Sequence, residues 1–300
     1  MNNVAVEQLA RTGGTPQPSR GREIWKAASL FARNRGAVIG AAVIGFFVIL
    51  VIFAPWIAPY DPIEMVPTDS QQAPSFRHLF GTDLLGRDIL SRVIFGTRLS
   101  LLIGLVSVVI GASAGTVIGL TAGYYGGLLE TLIMRIVDAM LAFPGILLAL
   151  SIIVALGTGM INVMIAVGVA TIPAYARLVR GTVLAAKENV YVEASRVIGC
   201  SALRIMFVHI LPNVIAPVIV LSTVRFGVAI LTAAGLSFLG LGAQPPTPEW
   251  GLMVSMGRAY LGRAWWMSTF PGLVITVAVV AINLAGDGLR EALDPRLRSR

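Results

Sequence analysis

Residues 99–123 read LSLLIGLVSVVIGASAGTVIGLTAG, an apolar run without a charged side chain. As a helix with a rise of 1.5 Å per residue, this run is about 37 Å long, more than the ~30 Å hydrocarbon core of a bilayer. Its glycines recur at steps of seven and then four, at positions 104, 111, 115, 119 and 123. One helical face of small residues lets a second helix approach closely in lipid. The pattern predicts a membrane-spanning helix in close contact with another helix, either in this subunit or in a second one.

The composition of the whole chain extends this interpretation. The sequence has 300 residues, of which 56% are hydrophobic and 13% are charged. Soluble proteins average about 45–50% hydrophobic residues and about 25% charged residues. Further apolar runs of spanning length occur at about 36–58, 135–156, 160–178, 213–240 and 268–289. A water-soluble fold does not bury so many continuous apolar runs, so we expect an all-α membrane protein with six transmembrane helices.

The placement of Lys and Arg predicts the orientation in the membrane. Sixteen of them flank the spans on the side of both termini and the 177–212 loop, and six flank the opposite side. Because positively charged loops face the cytoplasm, both termini and this loop are expected there. The chain then divides into a partly disordered cytoplasmic tail (1–35), a six-helix membrane domain (36–289) and a cytoplasmic C-terminal tail (290–300). We expect a multi-pass protein of the inner or plasma membrane.

Charge, cysteine and histidine content exclude several classes of site. The net charge of +8 does not indicate a nucleic-acid partner, because the excess lies in tails and loops where the orientation requires it. Cys200 is the only cysteine, so no disulfide within the chain is possible. His78 and His209 are far apart and fall on opposite predicted sides, so a metal site of His and Cys is not expected.

One cytoplasmic segment is too polar to span the membrane. Residues 187–212 read KENVYVEASRVIGCSALRIMFVHILP, in which apolar residues recur at helical spacing while Glu193 and Arg196 occupy another face. Gly199 suits the end of a helix, and Ser201 can cap the next one. We expect two short helices joined at Gly199 and held at the cytoplasmic surface of the membrane. A plain surface helix without a special role is the alternative.

The same segment resembles the EAA loop of ATP-binding-cassette (ABC) importer permeases. The matching positions are Glu193, Ala194, Ser195, Gly199, Leu211 and Pro212. Two positions depart from the family pattern: Ser195 stands in place of alanine, and His209 stands in place of isoleucine. The resemblance implies the fold of a type I ABC importer permease with cytoplasmic coupling helices.

In that family the loop is the coupling element and docks in a groove of an ATPase subunit. The resemblance implies that Glu193 and Arg196 face this partner, whereas Ala194, Gly199 and Leu211 hold the shape of the loop. A short rigid helix in a groove converts closure of the ATPase pair into rotation of the attached spans. Rigid-body motion of this kind is sufficient for alternating access.

The chain lacks a nucleotide-binding motif of its own. Its only lysines are Lys26 and Lys187, and Ala186 stands where a Walker A motif requires glycine before the lysine. We therefore expect that the chain is not an enzyme and binds no cofactor itself. ATP and magnesium are expected on partner subunits.

Further segments resemble the permeases of dipeptide and oligopeptide importers, including their glutathione and nickel relatives. They are FGTDLLGRDILSRVIFGTRLS (80–100), LSFLGLG (236–242), QPPTPEWG (244–251), GDGLR (286–290) and LDP (293–295). The resemblance is to the second, C-type permease subunit of those systems. It implies a heterodimer with a homologous second permease in the lipid bilayer, two ABC ATPase subunits and an extracytoplasmic substrate-binding protein. The exact substrate stays open.

Charged residues inside or beside the spans are candidates for function. Arg225 lies near the middle of the fifth span, where an arginine costs about 2.5–3.5 kcal/mol on insertion scales. It either lines the translocation path and attracts a carboxylate, or pairs with an acid or a carbonyl group within the bundle. Arg135 and Asp138 are three residues apart, and Asp287 and Arg290 repeat this spacing. Interfacial ion pairs are expected at both places.

The outer side carries a long connection and a group of aromatic residues. The segment 60–98 is longer than a simple turn of the chain requires, and the resemblance implies that it lies along the outer mouth near the binding protein. The aromatic residues of the last outer segment are expected to anchor at the membrane–water interface rather than to contact substrate. They are Trp250, Tyr260, Trp265 and Trp266.

Three other functions compete with that of an ATP-driven importer. A secondary transporter should show inverted repeats and acidic residues near the midplane of the membrane. An exporter of this class usually carries a fused ATPase, and a non-transporting membrane scaffold has no need of the 187–212 loop. The sequence shows no clear repeat, its acidic residues lie at span ends, and its loop pattern is that of importers. An importer permease is therefore favoured.

We predict that Cys200 is labelled only from the cytoplasmic side. A membrane-impermeant maleimide should leave it unmodified in intact spheroplasts and should modify it in inverted vesicles. A Cys200→Ser, Glu64→Cys variant serves as the control, because Glu64 lies in the outer segment and its replacement should react in spheroplasts. Labelling of Cys200 from outside the cell would contradict the orientation.

Overall fold

Residues 28–293 are described by the computed structural model, with side chains through residue 292. Most of the two expected tails, 1–35 and 290–300, therefore lies outside the described residues. The helices are α1 (Arg35–Ile57), α2 (Ile89–Tyr125), α3 (Gly127–Leu141), α4 (Gly145–Leu156), α5 (Met160–Lys187), α6 (Val190–Val197), α7 (Ala202–Arg204), α8 (Leu211–Phe238), α9 (Trp250–Gly257) and α10 (Trp266–Leu293). A π-helical segment, Ile205–Ile210, joins α7 to α8.

The long helices confirm an all-α membrane protein. Five continuous segments are apolar and long enough to cross a bilayer: α1, α2, α5, the joined α7–α8 segment and α10. The pair α3 and α4 passes the same test together, which gives up to six spans in the described part of the chain. Helix α2 begins at Ile89 rather than at 99, and α5 continues to Lys187 rather than ending at 178. Hydropathy marks only the apolar part of a helix, and both helices extend beyond it.

The span predicted over 135–156 is not a single helix. The structure has two helices there, α3 and α4, which are bent by 95° at the break between them. Pro144 lacks the N–H that would continue a helix, and proline also disfavours helical backbone at the residue before it. Its own backbone is extended, with φ −54° and ψ 132°. Hydropathy detects the apolar run but carries no information on this change of direction.

Helix α2 packs against α5 along the glycine face that the sequence indicated. A Cβ atom at Gly115 would lie 2.5 Å from the Cβ of Tyr175. One at Gly119 would lie 2.5 Å from the carbonyl oxygen of Ala176. Helix α5 also covers the two flanking glycines, Gly111 and Gly123. Close contact inside the subunit, one of the two alternatives, is therefore confirmed, and we call this contact the glycine seam.

The seam ends in a buried apolar cluster beside the 187–212 loop. Helices α2, α5, α6 and α8 and the π-helical segment all contribute to it. Its buried members are Leu120, Tyr175, Val179, Val183, Ala186, Val192, Ile205, Met206, Ile210, Val214 and Val218. Because α6 contributes a side chain to this cluster, the loop is attached to the long helices by apolar packing as well as by the continuity of the chain.

The segments at the other end of the bundle, 58–88 and 239–265, form a packed cap. Arg92 of α2 joins the two segments to the helix, and its guanidinium is buried. It donates hydrogen bonds to the carbonyl oxygens of Pro62 (2.7 Å) and Pro246 (3.3 Å). A buried charge of this kind is tolerated only where its donors find partners. The cap is consequently held to the start of α2 by polar contacts.

Two of the expected interface anchors are buried where this cap meets the helices instead. Trp250 is fully buried, and its indole N–H donates to the carbonyl oxygen of Val93 (3.0 Å). Trp266 is 6% exposed and donates to the carbonyl oxygen of Thr82 (3.1 Å). The expectation of interface anchoring is wrong for these two, because protein carbonyl groups take the place of water and lipid headgroups. Trp265 is 50% exposed.

A buried carboxyl group fixes the start of α9 within the cap. Glu249 accepts hydrogen bonds from the backbone N–H groups of Gly251 (2.9 Å) and Leu252 (2.8 Å), and so caps the helix. Burial raises the pKa of the Glu249 carboxyl above its usual range, while these two bonds act in the opposite direction. The last residues of the 244–251 motif therefore have a structural role at this end of the bundle.

We predict that Gly119→Ala destabilises the protein. The added methyl group would meet the backbone of α5, which cannot rotate aside as a side chain can, and overpacking of this kind costs about 1–3 kcal/mol. The purified subunit in detergent should show a lower thermal unfolding midpoint. Gly45→Ala in α1 is the matched control, because a Cβ there meets nothing within 4 Å. Equal midpoints for the two variants would contradict the role of the seam.

Candidate coupling site

The turn expected at Gly199 is present. The N–H of Gly199 donates to the carbonyl oxygen of Arg196 (3.0 Å), and that of Cys200 donates to the carbonyl oxygen of Ser195 (3.0 Å). This is a Schellman motif, with Gly199 in the left-handed region at φ 83°. The hydroxyl of Ser201 then accepts from the N–H of the third residue of α7 (3.4 Å). The prediction of two short helices joined at Gly199 is confirmed.

Two residues of α6 face the bundle. Val192 is fully buried in the apolar cluster, and Ser195 is 6% exposed. The Ser195 hydroxyl donates to the carbonyl oxygen of Tyr191 (2.7 Å), so the departure from alanine leaves no unpaired polar group. The Tyr191 hydroxyl in turn accepts from the amide of Asn213 (2.9 Å), which links α6 to α8. This buried side of α6 was not predicted from the sequence, although Val192 and Ser195 are three residues apart and so share one face of a helix.

The side of α6 that faces away from the bundle is exposed and carries both apolar and charged residues. Val190, Val197 and Ile198 are 81%, 82% and 78% exposed. The motif residues around them are exposed as well. Rigid exposed surfaces of this composition are typical of protein interfaces. We call this the coupling surface: Val190, Glu193, Ala194, Arg196, Val197 and Ile198.

The second half of the matched pattern lies at the start of α8. Leu211 and Pro212 are its first two residues, where a proline is tolerated because the first N–H groups of a helix have no intrahelical partner. Leu211 is half-buried and Pro212 is exposed. Both follow the π-helical segment directly. The structure therefore places them at the end of the 187–212 loop, outside the coupling surface itself.

The coupling loop is connected to both helices of the glycine seam. Lys187, the last residue of α5, donates to the carbonyl oxygens of Gly123 and Tyr124 at the end of α2 (3.4 Å each). A lysine at this position caps the helix end and suits its dipole. Arg180 of α5 pairs with Glu130 of α3 at 2.5 Å. These contacts fix the direction in which α5 enters the loop.

The two expected ion pairs are not formed as predicted. Asp138 of α3 pairs with Arg177 of α5 rather than with Arg135. Helical spacing makes Arg135 reachable, but α5 brings a second arginine to the same carboxylate. Among the described contacts no ion pair joins Asp287 to Arg290, and both side chains are exposed. Exposed pairs contribute little, so such local spacing is a weak guide.

Arg225 is partly buried on α8 and forms no ion pair within the described residues. It lies near the Tyr175 hydroxyl, which donates to the hydroxyl of Ser222 (3.1 Å). Beside the same helix a cavity of about 590 Å³ opens between α5, α8 and α10. Its polar lining residues are Asn213, Asp287 and Arg290. Among the residues that the structure describes, no three His, Cys, Asp or Glu side chains are grouped as a metal site.

A bundle of five or six apolar spans that carries a rigid, exposed EAA loop defines the class of ABC importer permeases. Residues 115–299 match the family described as "Binding-protein-dependent transport system inner membrane component". Residues 19–74 match the "N-terminal TM domain of oligopeptide transport permease C". The chain belongs to this binding-protein-dependent transport family, as a C-type permease of the peptide and glutathione group. The family consists of transport permeases and not of enzymes.

Individual relatives agree with this assignment. The chain is 50% identical over 288 residues to the Di/tripeptide transport system permease protein DppC of Pseudomonas aeruginosa, with 94% of each chain covered. It is 48% identical over 277 residues to the Glutathione transport system permease protein GsiD of Escherichia coli, with 92% of this chain and 90% of the relative covered. The prediction from the loop and the outer motifs is confirmed.

The fold also resembles a solved structure. An inward-facing conformation of the MetNI methionine ABC transporter contains a chain that superimposes with a TM-score of 0.54. The match covers 69% of this chain and 98% of that one, at 19% sequence identity. At this identity the likeness concerns the fold alone, and it confirms the type I importer permease architecture.

Proposed function

We propose that the chain forms half of a heterodimeric translocation path and transmits to it the work of two separate ABC ATPase subunits. A homologous permease forms the other half, and an extracytoplasmic binding protein delivers the substrate. Both termini and the coupling surface face the cytoplasm, and ATP with magnesium is bound by the ATPase subunits. The observation that carries this proposal is the exposed coupling surface, fixed by buried contacts to both helices of the glycine seam.

The path of force is short. An ATPase groove that holds the coupling surface would move α6, whose Val192 is packed in the cluster with Leu120 of α2 and Val183 of α5. Lys187 holds the ends of the same two helices together. Since the seam leaves no room for sliding, α2 and α5 would rotate as one body. Such a rotation exposes the path alternately to the two sides of the membrane.

Charge and shape have separate roles in the loop. Glu193 and Arg196 are exposed and available to opposite charges in the ATPase groove, and the small Ala194 between them permits close approach. Gly199 supplies the left-handed turn, which other residues adopt only with strain. The start of α8 at Leu211–Pro212 sets the direction in which the loop continues into the span.

The proposed substrate is a di- or oligopeptide, or glutathione, as in the named relatives. Each of these carries at least one carboxylate. Arg225 has no acidic partner among the described residues and lies beside the polar pair Tyr175–Ser222, so it is available to attract that carboxylate. The cavity lined by Asn213 and Asp287 lies beside the same helix. We place Arg225 on the translocation path for these reasons.

We predict that Glu193→Ala and Gly199→Ala each reduce ATP-dependent uptake by at least about tenfold while the subunit stays inserted. The first removes a docking charge. The second places a β-carbon in a left-handed conformation, at a cost of roughly 1–2 kcal/mol, which displaces the coupling surface. Uptake is measured in proteoliposomes that contain the complete transporter, with the binding protein and its peptide supplied.

The matched controls lie in the same region of the chain. Glu188→Ala removes an exposed acid outside the EAA pattern, and Gly181→Ala adds a methyl group where a Cβ meets nothing within 4 Å. Both should transport normally. Unimpaired uptake by the Glu193 and Gly199 variants would contradict the coupling role. Accumulation without ATP would instead favour a secondary transporter, and a complete lack of uptake by the unaltered complex would favour a scaffold.

We predict that Arg225→Met lowers uptake about tenfold at saturating binding protein, because a charge-assisted bond to the carboxylate contributes about 1.5–3 kcal/mol. Arg225→Lys keeps the charge and should retain most of the uptake. Arg135→Met is the matched control, since Arg135 is exposed and forms no ion pair among the described contacts. Normal uptake by Arg225→Met would leave the arginine with a structural role only.

A further inference from the structure

A fully exposed phenylalanine stands on the outer segment between α1 and α2. Phe76 is 104% exposed, the largest value for any large apolar side chain among the described residues. Its neighbour Arg77 is exposed as well, with 64% of its side chain accessible, although its guanidinium pairs with Asp69 of the same segment (3.1 Å). Both belong to the turn Ser75–His78. An apolar ring in this position gains nothing from the rest of the subunit, so its placement calls for another explanation.

The exposure does not arise from a loose loop. The N–H of Ser75 donates to the carbonyl oxygen of His78 (2.8 Å), and the N–H of His78 donates to the Ser75 hydroxyl (3.2 Å). The hydroxyl of Tyr60 donates to the carbonyl oxygen of Arg77 (2.9 Å). The backbone is therefore fixed on both sides of Phe76, and the ring is held away from the protein.

The base of the turn is attached to the start of α2. His78 is 4% exposed, and its Nδ1 lies 2.9 Å from Oδ1 of Asp88, while its Nε2 lies 3.6 Å from Oδ2 of Asp69. The other oxygen of Asp88 accepts from the N–H of Ser91 (2.7 Å) and caps α2. The ring of Tyr60 covers the imidazole at a centroid distance of 4.9 Å. Turn and helix are joined as one unit.

A rigid exposed aromatic side chain is suited to anchor a protein partner. Burial of the ring removes a large apolar surface from water, and a turn that is already ordered loses little conformational entropy on binding. Aromatic anchors of this kind dominate the energetics of interfaces. The hydrocarbon core of the bilayer is a poor occupant, because the adjoining Arg77 and the open backbone of the turn would lose their water with the ring.

We propose that the turn Ser75–His78 is a docking element for the extracytoplasmic binding protein, with Phe76 as its anchor. The proposal rests on the proposed function, which places this turn on the side where the binding protein arrives. The complementary surface would be an apolar pocket for one phenyl ring. Through His78 and Asp88, docking acts on α2 and so on the glycine seam and the coupling surface.

The test uses the complete transporter in lipid nanodiscs and measures ATPase stimulation against the concentration of binding protein. Phe76→Ala should raise the half-saturating concentration at least about tenfold. Because the Phe76 side chain is fully exposed, assembly and the ATPase rate without binding protein should not change. Phe76→Trp keeps a large aromatic anchor and should stay within about threefold of the unaltered protein. Ile63→Ala is the matched control, since it removes another exposed apolar side chain of the same segment.

Several outcomes would overturn the proposal. An unchanged half-saturating concentration for Phe76→Ala would show that Phe76 is not an anchor. An equal increase for Ile63→Ala would show that binding does not depend on Phe76 in particular. Loss of assembly or of basal ATPase in Phe76→Ala would place the ring against the second permease instead. Failure of the proposed function is distinguishable, because the unaltered complex would then show no stimulation by the binding protein at all.

A photoreactive residue identifies the occupant directly. With p-benzoylphenylalanine at position 76 of the complete complex, irradiation in the presence of the purified binding protein should join the two proteins. A covalent adduct with the binding protein supports the proposal. Adducts only with the second permease or with lipid, or no adduct, overturn it.

Discussion

Close contact between α2 and α5 along the glycine seam is the interaction on which the rest of the structure depends. In lipid, apolar side chains gain nothing by leaving the solvent, so helices associate through van der Waals contacts that require close approach of their backbones. Gly115 and Gly119 permit this approach, because a Cβ on either would meet α5 at 2.5 Å. The two helices therefore behave as one body, and whatever is attached to their ends is mechanically connected across the membrane.

Different kinds of contact attach other segments to the two ends of the α2–α5 pair. At the end that carries the 187–212 loop, apolar packing of Val192 and the capping contacts of Lys187 hold the coupling surface. At the opposite end, buried charges hold the cap: Asp88 caps α2 and holds His78, and Arg92 joins both cap segments. Buried charges stabilise a single arrangement when each finds its partner, since the unpaired alternative is costly. The cap is therefore held in one arrangement, although it consists largely of connections between helices.

The coupling loop shows how far local reasoning reaches. Gly199 and Ser201 specify the backbone at the end of one helix and the start of the next, and the structure confirms both. The buried side of α6 was not predicted, because Val192 is selected by contacts with helices far away in the sequence. Asp138 is a similar case. Its spacing indicated Arg135 as the partner, but the packing of α3 against α5 supplied Arg177.

By itself the sequence determined that this chain lies in the membrane and where its apolar runs are. It also determined which face of α2 is lined by glycine and where the 187–212 loop turns. Insertion into lipid and the ends of helices depend on residues that are neighbours in the chain. Only the tertiary structure decided the burial of Trp250 and Trp266 and the full exposure of Phe76. These features depend on contacts between distant segments, such as that of the Trp250 indole with α2, and no local pattern records which distant group will be there.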